Sequence, residues 1–144
     1  MKTKSFLDQL EHARIVDAIA VAETKTSGEI RVFVQHGEVN DPMEEAKKQF
    51  ERLGMTATRE RNAVLIFVAP RLQKFAVVGD EGIDQRCGSE FWLRLVEMMR
   101  EQFAGEHFTD ALVQGIRECG EMLAEHFPQR SDDRNELPNT IEEG

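Results

Sequence analysis

Hydrophobic positions recur along this chain in three rhythms, and each predicts a different element. In SFLDQLEHARIVDAIAVAETKT, residues 5–26, Ile15, Ile19 and Ala22 follow at spacings of four and three, which is one face of a helix. Thr26, Ser27 and Gly28 end it. EIRVFVQH then alternates, with Ile30, Val32 and Val34 set against Arg31 and Gln35, the pattern of a half-buried strand. A second helix follows: Asp41 is placed to cap it, Pro42 suits the first helical position, Glu44 stands three residues after the cap, and Gly54 closes it. AVLIFVA, residues 63–69, is unbroken apolar sequence. A strand of that kind is buried on both faces and needs helices above and below it. Residues 70–73 read as a turn, and KFAVVG as a third strand that the short turn makes antiparallel to the second.

Two further stripes have helical period. Trp92, Leu95, Val96, Met99 and Phe103 form one, behind Ser89 as a candidate cap. Phe108, Leu112, Ile116, Cys119 and Leu123 form the other. Both are core faces, and the helix-weakening Gly115 and Gly120 imply close packing against a neighbour. From Pro128 onward the sequence is polar, acidic and interrupted by proline, so residues 128–144 are expected to be a disordered tail on a single domain spanning 1–127. The expected fold is α/β: a three-layer α/β/α sandwich, Rossmann-like, in which a small mixed sheet has helices on both faces.

Composition narrows the partners. The 144 residues suit one core, at 40% hydrophobic and 31% charged. The formal net charge of -9 repels nucleic acid and anionic lipid and favours cations. The N-terminus lacks the unbroken apolar stretch of a signal peptide, and no segment approaches the length of a membrane span. These features imply a cytoplasmic protein with no membrane insertion. Cys87 and Cys119 lack ligand or redox spacing and read as reduced thiols.

The chemistry concentrates where the third strand ends, in VVGDEGID. Asp80, Glu81 and Asp84 crowd into five residues interleaved with Gly79 and Gly82. One reading is a solvated turn, with Asp84 capping the short segment to Cys87. The other is a site for a hard cation, since calcium takes carboxylate and carbonyl oxygens from irregular loops. Strand directions bring in a fourth acid. The helix between the first two strands makes them parallel, and the third returns antiparallel, so its end meets the start of the first strand, at Glu29. Glu29, Asp80, Glu81 and Asp84 are the candidate metal ligands, for calcium or magnesium. The spacing is not that of an EF-hand.

Other chemistries leave no trace. There is no phosphate-binding Gly-Lys loop and no nucleophile elbow. His12, His36, His107 and His126 are scattered without ligand spacing. Ser27 and Ser89 read as turn and cap residues.

Taken together, TKTSGEIRVFV, RNAVLIFVAPRLQKFAVVGDEGI, the aromatic-rich helix and FTDALVQGI resemble the TPM domain family over about residues 8–127. The most specific pieces are Gly28-Glu29-Ile30, Arg61-Asn62 before the apolar strand, and residues 79–83. The resemblance implies a Rossmann-like sandwich that binds calcium or a similar ion at acidic loops on one end of the sheet. It also implies relatives that act beside membrane-protein complexes, and an acid phosphatase activity in one branch. Three functions are the resulting expectations: a non-catalytic cation-binding module acting through a protein partner, a metal-dependent phosphohydrolase with Asp84 as base, or a scaffold that needs no ion. The first is favoured, because no nucleophile stands beside the acids.

Overall fold

The computed structural model describes residues 1–129 and 141–144. Helices α1 (Thr3–Gln9) and α2 (His12–Glu23) lead into β1 (Glu29–Val34), α3 (Pro42–Arg52), β2 (Ala63–Ala69) and β3 (Lys74–Gly79). A single turn α4 (Glu81–Asp84), the long α5 (Ser89–Ala104) and α6 (Phe108–His126), and β4 (Ile141–Glu143) complete the chain. The sheet order is β3-β2-β1-β4. β1 and β2 run parallel, with Glu29 opposite Ala63, and β3 returns antiparallel, with Gly79 opposite Val64. The expected three-layer mixed α/β architecture is present, with strand directions as read from the connections.

The two faces of the sheet follow from strand alternation. Ile30, Val32, Val34, Val64, Ile66 and Val77 pack under α2, α5 and α6 in the larger core. Phe33, Leu65, Phe67 and Ala76 pack with Ala46 and Phe50 of α3 in the smaller one. All seven residues of β2 are buried, as its unbroken apolar run requires. Asp41 caps α3 by accepting the amides of Met43 and Glu44, and Gly54 takes the left-handed conformation that ends it. The glycines of α6 are points of close approach. A Cβ on Gly120 would stand 2.7 Å from that of Ala22, and one on Gly115 would stand 2.9 Å from Met99 Sδ.

Three expectations are corrected. The first helix is two, because Leu10 is extended and buried, and the Glu11 amide donates to Thr109 Oγ1 at 3.1 Å. A tertiary bond from α6 has replaced a helical one. Ser89 is the first residue of α5 rather than its cap, a position taken by Gly88. The reading of 128–144 as disordered fails at its end: Ile141–Glu143 pairs in parallel with β1, and Glu142 forms a close ion pair with the buried Arg31. Residues 130–140 of that stretch lie outside the described residues.

Candidate functional site

The geometry of the acidic end starts from Ala63, the first residue of β2. Glu29 is its partner on β1, and on the other side the Asp80 amide donates to the Ala63 carbonyl at 3.0 Å. Glu29 and Asp80 therefore flank one residue at one end of the sheet, which is the convergence that the strand directions demand. Their side chains then take separate paths.

Asp80 belongs to Arg61. The guanidinium donates through Nε to Oδ2 at 2.7 Å and through Nη2 to Oδ1 at 2.9 Å, and Nη1 reaches Glu81 Oε1 at 3.2 Å. The Asp80 side chain is 5% exposed, and Oδ1 also accepts the Glu81 amide, so it caps α4. The proximity of these carboxylates holds the Arg61 guanidinium above its ordinary range, with the Asp80 hydrogen bonds the largest cause. Arg61 pays a conformational penalty for this place, at φ 52°. Its carbonyl accepts the Gly82 amide at 2.9 Å. A Cβ on Gly82 would meet the carbonyl oxygens of Glu60 at 2.2 Å and Arg61 at 2.6 Å, so only glycine fits there.

Glu29 faces a different neighbour. Its buried carboxyl stands beside that of Glu23, at the end of α2, while Glu23 Oε2 accepts the Ile30 amide at 2.9 Å. That amide faces the side of β1 on which β4 pairs, but beyond the end of β4, which begins opposite Val32. Two carboxyls in mutual contact need a proton between them. Burial, with Glu29 beside it, pushes the Glu23 carboxyl up to about 9.

Glu81 is 64% exposed in its side chain, and Asp84 is exposed at the end of α4. Asp84 is a member of that helical turn rather than a cap for the segment to Cys87; the cap is Asp80, at the start of α4. Beside Asp84, Cys87 is raised above its ordinary thiol range, chiefly by burial and then by Glu125 and Asp84. Both cysteines are free.

The end of the sheet thus brings Glu29, Asp80 and Glu81 to one rim, with Asp84 one helical turn beyond. Among the described residues, no three His, Cys, Asp or Glu side chains stand close enough together to hold a metal ion. A shared ion would have to take Asp80 from Arg61. The residues that organise this end carry little sequence signal. Arg61 is one of two arginines in the connection before β2, marked out by the family resemblance but with no sign in the sequence of its partner Asp80, and Glu23 is one more acid on an amphipathic helix. Ser27 donates to Glu60 Oε2 at 2.5 Å and accepts from Asn62 Nδ2 at 3.1 Å, completing a polar network between segments distant in sequence.

The sequence model of the TPM domain matches residues 1–122. Among solved structures, the NMR structure of the BA42 protein from the psychrophilic bacterium Bizionia argentinensis is similar, at 41% identity and a TM-score of 0.87. The similarity covers 93% of this chain and 92% of that one. No curated protein matches. No described helix is long and apolar enough to cross a membrane.

Proposed function

The chain belongs to the TPM domain family, and from that premise we propose that it is a non-catalytic module that binds a divalent cation and acts through a protein partner. The ion is calcium, with magnesium as the competitor, and the ligands come from Glu29, Asp80, Glu81 and Asp84. One observation carries the reading: acidic residues from separate segments, Glu29 on β1 and Asp80 after β3, flank Ala63 at one end of the sheet, and an exposed Glu81 adjoins a buried, ordered Asp80. Hard oxygen donors of this kind suit calcium, which tolerates irregular coordination. In the arrangement described, Arg61 neutralises the inner oxygens of Asp80. Guanidinium and cation are therefore alternative occupants of this carboxylate, and binding entails release of the fork.

The test is thermal unfolding with calcium or magnesium, on wild type, Glu81→Ala and Arg61→Gln. Calcium raises the wild-type melting temperature, by the equivalent of about 2.7 kcal/mol at a hundredfold excess over the dissociation constant. Glu81→Ala removes most of the rise, and Arg61→Gln enlarges it by freeing Asp80. No rise, or an equal rise in wild type and Glu81→Ala, overturns the cation assignment. Hydrolysis of a chromogenic phosphate ester that is lost in Glu81→Ala overturns the non-catalytic part.

A further inference from the structure

We propose that the edge of β1 is a docking site for an extended segment of a partner protein, held closed by the chain's own residues 141–144. The segment it fits carries an apolar residue, an acid directly after it and a glycine two residues beyond the acid. The resident strand β4 shows what the edge recognises. Ile141–Glu143 pair with Val32–Val34 of the six-residue β1. Gly144 extends the contact: its amide donates to the Val34 carbonyl at 3.2 Å, and its carbonyl accepts the His36 amide at 2.8 Å. Even-numbered residues of β1 thus offer their backbone groups along this edge. The next amide, that of Ile30, is met by the Glu23 carboxyl instead of a strand. The edge therefore continues past the end of β4.

Arg31 supplies the specificity. It is 4% exposed, and its Nη2 pairs with Glu142. Its Nε is buried and has no hydrogen-bond partner among the described residues. The resident acid leaves one donor of a buried guanidinium unused, whereas a carboxylate seated squarely on the fork takes two, which is the stronger geometry. The other charges at the edge agree. His36 meets Glu143 at 2.9 Å, and the exposed Arg52 stands beside Gly144. The acids Glu23 and Glu29 lie at the start of β1, outside the stretch that β4 pairs. Size fixes the last position: a Cβ on Gly144 would stand 2.5 Å from Phe33 Cζ and 3.2 Å from Arg52 Nη2. Ile141 packs against the larger core, which sets the apolar position.

The resident segment is built to be displaced. Attachment to the same chain gives it an effective concentration on the order of millimolar, but its three paired residues make a short strand. A partner strand that runs on towards Ile30 and fills both donors of Arg31 makes contacts that the resident lacks. A second copy of this chain does not. Its segment is identical, repeats the resident contacts without the attachment, and arrives with a second net charge of -9.

A displayed library of short random peptides tests this, selected on the full chain with Glu142→Lys, which repels the resident segment from Arg31, and counter-selected on the wild type. Gly144→Val, which drives the segment off through Phe33 and leaves Arg31 and Glu142 in place, is a second released chain; circular dichroism checks that both are folded. Enriched peptides carry an apolar residue, then an acid, then a glycine two residues on. They slow amide exchange at Val34 and His36. They bind the wild type about tenfold or more weakly, because its edge is occupied, and lose about thirtyfold or more when their acid is changed to lysine. No enrichment on either released chain, equal binding by wild type and released chains, exchange changes confined to residues outside 30–36, or an acid replaced without loss overturns the proposal. So does a wild-type dimer that forms with concentration and is lost in Glu142→Lys, since the segment then acts between copies. The inference rests on the protein partner of the proposed function and not on the ion. The selection is run with a chelator present, and the calcium titration reads Glu81, so either can fail while the other stands.

Discussion

Arg61 grips Asp80 with two parallel hydrogen bonds, of 2.7 Å and 2.9 Å, from a backbone conformation that arginine rarely adopts. The contact joins the connection before β2 to the turn after β3, and it places a positive charge at the centre of a cluster of acids. It holds α4 against the sheet and sets the electrostatic character of this end of the molecule. A carboxylate that is 5% exposed is stable there because a planar fork satisfies both its oxygens.

The backbone conformation at Arg61 gives a prediction in which glycine outperforms alanine. Either substitution removes the fork and leaves the buried Asp80 carboxylate without its counter-charge, so both variants are less stable than the wild type. Alanine also retains the penalty at φ 52°, which glycine relieves. Arg61→Gly is therefore more stable than Arg61→Ala by about 1 kcal/mol. Urea unfolding of the two variants measures the difference; equality or the reverse order would mean that the connection relaxes once the ion pair is gone.

At Gly82 the expected cost is larger. Any Cβ there collides with two carbonyl oxygens, and backbone cannot move aside as a side-chain tip can. Gly82→Ala is expected to lose about 3 kcal/mol by urea unfolding, the upper end for overpacking. Loss of less than about 0.5 kcal/mol, the range of ordinary surface changes, would refute the packing argument.

Much of the fold was legible because it rests on local periodicity. The uninterrupted run of β2 and the cap-to-glycine frame of α3 are each written in adjacent residues, whereas β1, expected from its alternation to be half-buried, is buried at all six positions, with Arg31 taken up by Glu142. Strand direction then followed from connection length, and with it the meeting of Glu29 and Asp80 at one rim. What escaped depends on partners far away in sequence. The break at Leu10 is set by Thr109, and β4 is three residues whose place is set by Arg31 and the open side of β1. At the site, residue type was readable but partnership was not. The acids were conspicuous, and Arg61 stood in a specific motif, but nothing in adjacent residues pairs Arg61 with Asp80 or Glu23 with Glu29.

The position of β4 gives the next expectation. Arg31 is 5% exposed in its side chain and is held by Glu142. Removing the acid leaves a buried cation without its counter-charge, which costs about 3 kcal/mol. Glu142→Ala should lower the urea midpoint accordingly, and Arg31→Met with Glu142→Ala should recover most of the loss by removing the charge. A neutral single substitution would show that β4 contributes nothing through this pair.

The Glu23–Glu29 pair makes stability depend on pH in a direction opposite to that of most acids. Burial of Glu23, reinforced by Glu29, raises its carboxyl from 4.5 to about 9 in the folded chain. Between those values the folded state keeps a proton that the unfolded state releases. The stabilisation is complete below about 4.5, declines as pH rises through the window, and is lost above about 9. The slope for one proton is at most about 1.4 kcal/mol per pH unit. In Glu23→Gln the amide oxygen still accepts the Ile30 N–H and nothing titrates at this position. Wild type and variant share every other ionisable group, so the difference between their unfolding free energies isolates the pair. The variant gains on the wild type as pH rises from about 5 to about 8. Parallel pH profiles for the two proteins would show that Glu23 ionises normally and that the contact with Glu29 carries no shared proton.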